Sequence, residues 1–473
     1  MVFPVIGGDG KPTGYEIENS LRFNDDDNPS LSRANDSGGS NTAGTLSFWA
    51  KRCEINTSYL FYARSDDSNV FNVYFSNTAT SRLEIRSTQG GSTDFQYKTN
   101  MKFRDVSAWY HIVIAIDTTD GTAADRCKLF VNGSRITSFE TQTNFDQNDT
   151  IEWFQSDATV YVSGEFEGGT IANSNDGYIA DLNFVDGTQY DASYFGETND
   201  NGVWIPKKFT GTQGTNGFRL EFQQTGTSAN ASGMGADTSG NGNHLTPSNL
   251  AATDVTTDTP TNNFATLNPL AVGANTNKAY SEGNTKVLAS GGSGQPWKHA
   301  LGTIGVSNGK WYWECKAIIS GIVIAGVTDA DTTSSYEDDA LDEGVYYRSS
   351  NGYKYVGGSD SSYGNTFDNN DIIGVALDMD NKKIYFSKNG TFQNSGDPTS
   401  GSTGTGALSV SSFSTLLPDV IQGDGSDGWQ LNFGNAPFAI SSGNADANGY
   451  GEFEYAVPSG YYSLCTKNLA EYG

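Results

Sequence analysis

The stretch Asp371–Gly390 reads DIIGVALDMDNKKIYFSKNG, and it decides how the rest of the chain is understood. Ile372, Ile373, Val375 and Leu377 make a dense apolar run. Asp378, Asp380 and Asn381 break it, and Ile384, Tyr385 and Phe386 form a second run that ends at Asn389-Gly390. Two β-rich runs around a polar turn, closed by Asn-Gly, predict a strand, a hairpin, a strand and a turn. Downstream stand Leu417-Pro418-Asp419-Val420-Ile421, a Gly/Asp turn, and Trp429-Gln430-Leu431-Asn432-Phe433-Gly434. Upstream stands Gly309-Lys310-Trp311-Tyr312-Trp313-Glu314.

In this order the four blocks resemble a SPRY domain. That family opens on a Gly-Lys-Trp-Tyr-Trp-Glu strand and has a strand ending in Asp and an apolar strand ending in Asn-Gly. A Pro-bearing strand and an Asn-Phe-Gly strand close it. The resemblance implies a β-sandwich that binds partners through its loops and catalyses nothing.

The first half uses the same device. Leu46-Ser47-Phe48-Trp49-Ala50-Lys51 alternates as a strand, and Trp109 to Asp117 is a longer one. Lys128-Leu129-Phe130-Val131-Asn132-Gly133 ends in another Asn-Gly turn, and Gly177-Tyr178-Ile179-Ala180-Asp181-Leu182-Asn183-Phe184 follows. These blocks resemble the laminin-G-like, concanavalin A-like jelly roll, which implies a short helix after the last strand, at Asp191 to Phe195.

Length and composition agree with an all-β chain. At 473 residues it exceeds one core. Gly is abundant, at 56, and turn formers separate short aromatic and β-branched runs. The expected organisation is an N-terminal arm over 1–14, a laminin-G-like sandwich over 15–208, a Gly/Asn/Thr-rich connector over 209–270, partly packed, and a SPRY-like sandwich over 271–473. With Lys plus Arg at 28 and a formal charge of −27, the chain lacks the basic face that nucleic acid or an anionic membrane requires. The start, Met1 to Gly7, has neither the basic nor the apolar region of a signal peptide, and no apolar run would insert in a bilayer. Cys53, Cys127, Cys315 and Cys465 lie far apart without a CxxC pair, so buried thiols are expected.

No catalytic constellation emerges. Glu165-Phe166-Glu167 and Glu452-Phe453-Glu454 each put two carboxylates on one strand face, but lack the third acid of jelly-roll glucanases. His111, His244 and His299 stand in unrelated contexts. Gly423-Asp424-Gly425-Ser426-Asp427-Gly428 matches a dinucleotide fingerprint in letters only, because a strand follows where a helix is needed. No cofactor is implied beyond calcium, for which two oxygen-rich stretches stand out. Asp237, Ser239 and Asn241, before Gly242, have the ligand spacing of a calcium loop, but its twelfth position is Ser248 and not Glu. Asp25, Asp26 and Asp27 form the other cluster, although adjacent acids on an extended chain point apart. Each stretch reads either as a calcium ligand set or as a solvated acidic turn.

The remaining lead is aromatic. Tyr353, Tyr355 and Tyr363 in YKYVGGSDSSY, and Tyr336 in Ser334-Ser335-Tyr336-Glu337-Asp338, sit among the acids, serines and glycines that frame a stacked sugar ring. The competing reading has the alternating tyrosines in a strand packed on the core. The two sandwiches in one acidic chain, with the opening Gly14 to Phe23 and the Asp237 to Asn243 and Asn263 to Leu270 segments, resemble bacteriophage proteins described as fibre-like or virion-associated. That resemblance implies a non-enzymatic virion protein, a tail fibre or receptor-binding component. Its expected partners are other virion proteins and a host surface glycan or receptor, and it is expected to be a homo-oligomer. A capsid decoration or head-fibre protein and a polysaccharide depolymerase are the alternatives.

Overall fold

The computed structural model describes residues 14–36, 38–77, 79–271, 277–290, 297–331, 340–423 and 425–473. The expected arm lies almost wholly outside them. The chain divides between Thr261 and Asn262 into two compact units. It is all-β, with two packed sheets in each unit.

Among the described residues, each of the two large sheets of the first unit has eight strands. One sheet runs in the order Ser134–Arg135, Cys127–Val131, Trp109–Asp117, Ala43–Arg52, Gly177–Asp186, Ser20–Phe23, Val255–Thr256, with Phe218–Leu220 also paired to Gly177–Asp186. The other runs Phe139–Thr143, Ser92–Lys102, Arg82–Gln89, Asn69–Phe75, Ser58–Asp66, Thr159–Val162, Ser30–Ala34, Thr246–Ser248. Alternating side chains from both fill the space between them: Phe48, Ile112 and Ile114 from the first, Phe61, Phe71 and Phe95 from the second. Trp153 plugs this core, its ring 4.7 Å from Phe71. Burying a side chain of this size contributes roughly 1.5–3 kcal/mol. The helix expected over Asp191–Phe195 is a single 3-10 turn, Ala192–Tyr194, with Asp191 accepting from the Ser193 N–H.

Residues 209–261, whose composition reads as a connector, belong to the first unit. Phe218–Leu220, Thr246–Ser248 and Val255–Thr256 extend its sheets, and Phe222, Met234 and Leu245 join its core. Their glycines serve close approach and not flexibility: a Cβ on Gly233 would lie 1.9 Å from the Ser228 carbonyl oxygen. The last strand is latched where the chain leaves the unit. Buried Asp258 pairs with Lys51 at 2.8 Å, accepts from the Trp109 indole at 3.3 Å, and its carbonyl takes the Ser20 hydroxyl at 2.6 Å.

Among the described residues, the second unit has a nine-stranded sheet built around Gly428–Asn432, Lys310–Ile318, Ile372–Asp378 and Lys383–Lys388. Its six-stranded partner runs Lys298–Leu301, Leu416–Gln422, Val323–Asp329, Gly344–Arg348, Tyr353–Val356, Ser359–Ser362. Period-two alternation explains the Gly-Lys-Trp-Tyr-Trp-Glu block: Trp311, Trp313 and Cys315 enter the core, and Tyr312 faces the opposite side in a separate cluster. Glu314, on that opposite side, is fully buried and accepts the N–H groups of Glu454 and Tyr455 at 3.0 and 2.8 Å and the Asn432 amide at 3.1 Å. The Asp371–Gly390 stretch forms the expected strands. Asp378 ends the first and accepts from the Asn381 N–H and side chain, both at 2.8 Å, while Lys310 pairs with it at 2.8 Å. All four cysteines are buried thiols, and no helix among the described residues is long and apolar enough to cross a membrane.

Candidate functional site

Of the four tyrosines singled out from sequence, the three that are described do not converge. Tyr336 lies outside the described residues. Tyr363 is core: it is 7% exposed, packs edge-on to Tyr347 at 5.5 Å, and its hydroxyl accepts the Phe386 N–H at 3.3 Å. Tyr353 and Tyr355 are half-buried in a strand at the sheet margin, not in a loop. Tyr355 takes a hydrogen bond from Arg348 at 2.7 Å and packs beside Ile324 and Tyr346. The polar residues between them form the hairpin partner Ser359–Ser362, whose exposed serines give the segment its loop-like composition.

Asp237, Ser239 and Asn241 do not form a calcium loop. The Asp237 carboxylate already accepts the N–H groups of Arg219, Ser239 and Asn243 at 2.9, 2.8 and 2.9 Å and the Ser239 hydroxyl at 2.9 Å. Asn241 donates to the carbonyls of Gly214 and Gly217. The same spacing that suits a cation here folds a turn back on its own backbone.

Oxygen ligands do gather elsewhere in the first unit. Phe23, Gly177 and Arg52 lie side by side at the end of three adjacent strands. The residues just beyond them, Asp25, Asp176 and Glu54, bring carboxylate oxygens within 4.8 Å of one another. Asp27, in a 3-10 turn with Asp25, accepts from the Asn24 side chain at 2.9 Å. Burial, and then the charge of Asp26, raises the Asp25 pKa; burial, and then Asp25, raises that of Glu54. An all-oxygen, mutually repelling set fits a hard divalent cation such as calcium and not zinc. Bound there, calcium would neutralise the three loops that carry these acids.

A feature absent from the sequence reading covers the open face of the second sheet of this unit. A bulge between Tyr59 and Phe61 adds one residue to the strand Ser58–Asp66. Tyr59 and Tyr62, three positions apart, therefore point to the same side, where plain alternation would oppose them. Register then aligns two rows across the strands. One holds Tyr161, Tyr62, Asn72, Arg86 and Gln96; the other holds Tyr59, Tyr74, Glu84 and Lys98.

The aromatic half of these rows is continuous. Tyr74 stacks on Tyr59 at 4.9 Å, Tyr59 meets Tyr62 edge-on at 6.2 Å, and Tyr62 meets Tyr161 at 6.1 Å. Phe166, from the hairpin Glu165–Glu167 and Thr170–Ala172, extends the strip by stacking on Tyr161 at 5.5 Å. Arg64 pins that hairpin, donating to the Phe166 carbonyl at 2.7 Å with its guanidinium over the ring. Burial pushes the Tyr62 phenol up to about 12; burial and then Glu165 raise Tyr59, and burial and then Glu84 raise Tyr74. All three remain neutral hydrogen-bonding phenols at physiological pH. The Tyr74 hydroxyl donates to Glu84 at 2.7 Å, and Lys98 pairs with the same carboxylate at 3.2 Å. Rings flanked by amide, guanidinium and carboxylate groups can stack on an apolar sugar face and hydrogen-bond its hydroxyls. Of the two acid pairs noted from sequence, Glu165 accepts from Asn173 at 2.5 Å beside this strip, and Glu454 is held by Ser441 in the other unit.

Comparison with known proteins agrees with this architecture. The family model of the concanavalin A-like lectin/glucanase superfamily matches residues 24–189, and that of the SPRY domain matches residues 310–434. The chain thus carries a laminin-G-type, concanavalin A-like domain followed by a SPRY domain. No curated protein matches it. Among solved structures, the SPRY domain of human HERC1 is 18% identical, over 31% of this chain and 87% of that one, with a TM-score of 0.26. A heptameric SAP-like pentraxin from Limulus polyphemus is 19% identical over 37% and 80%, with a TM-score of 0.28. The PSpry domain of TRIM65 is 16% identical over 36% and 91%, also at 0.28.

Proposed function

We propose that this chain is a non-enzymatic carbohydrate-recognition protein of a bacteriophage virion, a tail-fibre or receptor-binding component that engages host surface glycans. The observation that carries the reading is the strip Tyr74, Tyr59, Tyr161 and Phe166, half-buried on the outer sheet face around a buried Tyr62, with Asn72, Gln96 and Glu84 beside it. The contact surface is therefore a sheet face of the first domain, and not the loops of the second. Support for the virion setting is the resemblance of this domain pair to fibre-like phage proteins, and the acidic shell suits a protein displayed in solvent.

The test is adsorption of purified protein to host cells before and after enzymatic removal of surface glycans. Intact cells are expected to retain it and stripped cells to lose most of it. Tyr59→Ala with Tyr74→Ala should lower retention at least tenfold, since each stacked ring contributes of order 1 kcal/mol. Equal retention by stripped cells sinks the glycan reading. Immunogold label spread over heads and absent from tails would replace receptor binding by capsid decoration.

A further inference from the structure

Given the glycan reading on which this rests, we propose that the sugar recognised is acidic, and that its carboxylate is taken by Arg86. Arg86 stands in the row between Asn72 and Gln96, one strand beyond Tyr74, and is half-exposed. Three other cations of this face are already engaged. Lys98 lies 3.2 Å from Glu84 and 3.4 Å from Glu140, Arg82 lies 2.5 Å from Glu140, and Arg64 lies 2.7 Å from Asp67. The Arg86 side chain makes no ion pair or hydrogen bond among the described residues, and its Nε is buried without an acceptor. Beside it Asn72 is 6% exposed, with a buried Oδ1 that also has no partner.

Acids outnumber bases 55 to 28 in this chain, so an arginine left without a carboxylate is not for want of them. A guanidinium fork matches a carboxylate by two parallel N–H···O bonds, which no sugar hydroxyl reproduces. The rest of the molecule's negative charge is screened beyond about 8 Å at physiological ionic strength, so the local contact decides. The ligand class is a glycan bearing uronic or sialic acid units, with the acid on Arg86 and a neighbouring ring on Tyr74 and Tyr59.

Calorimetric titration of the full chain at physiological salt tests this. The probes are trigalacturonate and its trimethyl ester, with 3′-sialyllactose and lactose as the second acid–neutral pair. Tighter binding of an acid than of its neutral counterpart, by tenfold or more, is expected in at least one pair, and the pair that shows it names the acid. Arg86→Gln should abolish that preference, bringing the acid's affinity down to that of its neutral counterpart; Arg86→Lys should restore part of it. Equal binding of acid and neutral forms, or a preference that survives Arg86→Gln, overturns the acidic ligand and leaves the tyrosine face as a neutral-sugar site. Failure of all four saccharides to bind, with Tyr59→Ala indistinguishable from the parent chain, removes the sugar reading of this face as well.

Discussion

Each domain has a two-residue hairpin turn made of Asn-Gly, and the two are built alike. Asn132 accepts the His111 N–H on Oδ1 at 2.8 Å and returns its own N–H to the His111 carbonyl at 2.9 Å. Asn389 does the same with Ile372, at 2.9 and 2.8 Å. Both asparagines are left-handed, with φ of 45° and 47°, and the glycines that follow have φ of 76° and 77°. Each glycine lies beneath an aromatic ring from a later segment: an added Cβ would come 2.4 Å from Trp204 at Gly133 and 2.6 Å from Tyr455 at Gly390.

The difference is in what holds the ring down. Trp204 donates its indole N–H to His111 Nδ1 at 3.0 Å, which leaves Nε2 to donate to Ser47 at 3.0 Å, and Trp49 stacks on the other face of the imidazole at 4.7 Å. Tyr455 is held through its backbone by the buried Glu314 carboxylate. Turn chemistry is local and transferable between folds, whereas the clamp above it is tertiary and was solved differently each time. A neutral imidazole does the work in one domain and a buried carboxylate in the other.

Removing the carboxylate clamp should have the largest effect. Glu314→Ala takes the acceptor from the Glu454 and Tyr455 N–H groups and the Tyr312 hydroxyl, and one of two from the Asn432 amide, and should lower the stability of the SPRY domain by about 3–5 kcal/mol. Calorimetry should show its transition falling while that of the first domain stays in place; a shift of both would mean that Glu314 does not act locally. The imidazole clamp should instead show in acid. Burial depresses the His111 pKa to about 3, against about 6.5 unfolded. The unfolded chain then binds the extra proton, so this contribution is complete above pH 6.5 and is lost as pH falls toward 3, by about 3 kcal/mol at pH 4. Urea unfolding at pH 7, 5 and 4 should show that slope in the first domain, and His111→Gln should remove it; a slope that persists in the variant assigns it to other groups. The smallest effect concerns the shared part. Gly133→Ala and Gly390→Ala each place a Cβ at positive φ against a ring and should cost about 1–3 kcal/mol. Equal costs in the two domains support a transferable turn, and a difference of more than about 1 kcal/mol would locate the strain in the clamp.

Much of the fold was legible because it is written locally. The Gly-Lys-Trp-Tyr-Trp-Glu block forms the strand that the resemblance implied, with Trp311 and Trp313 inward, and the Asn389-Gly390 pair ends its strand where expected. The sites were not, because register assembles them. Tyr59, Tyr62, Tyr74 and Tyr161 come from three strands, and a single bulged residue sets two of them on one face. Asp25 could be suspected from its own triplet, but Glu54 and Asp176 reach it only through strand pairing. Tyr363 misled for the converse reason: a polar neighbourhood says nothing of a ring that turns inward. Asp237 shows that one spacing of oxygens serves either a cation or the chain's own amides, and only the donors around it decide.

The latch at Asp258 has a mechanical consequence. Ser20–Phe23 and Val255–Thr256 are antiparallel neighbours, with Ser20 opposite Thr256, so the strands by which the chain enters and leaves the first domain part from one end of the same ladder. Tension along the polypeptide would peel that ladder pair by pair instead of loading all its bonds in shear, and it is only two residue pairs long. Resistance to the first slip therefore falls to the Thr261 hydroxyl on the Ile17 carbonyl and, behind it, to the Ser20 hydroxyl and the buried Lys51–Asp258 contact. The two eight-stranded sheets of the sandwich carry no load until that catch is released.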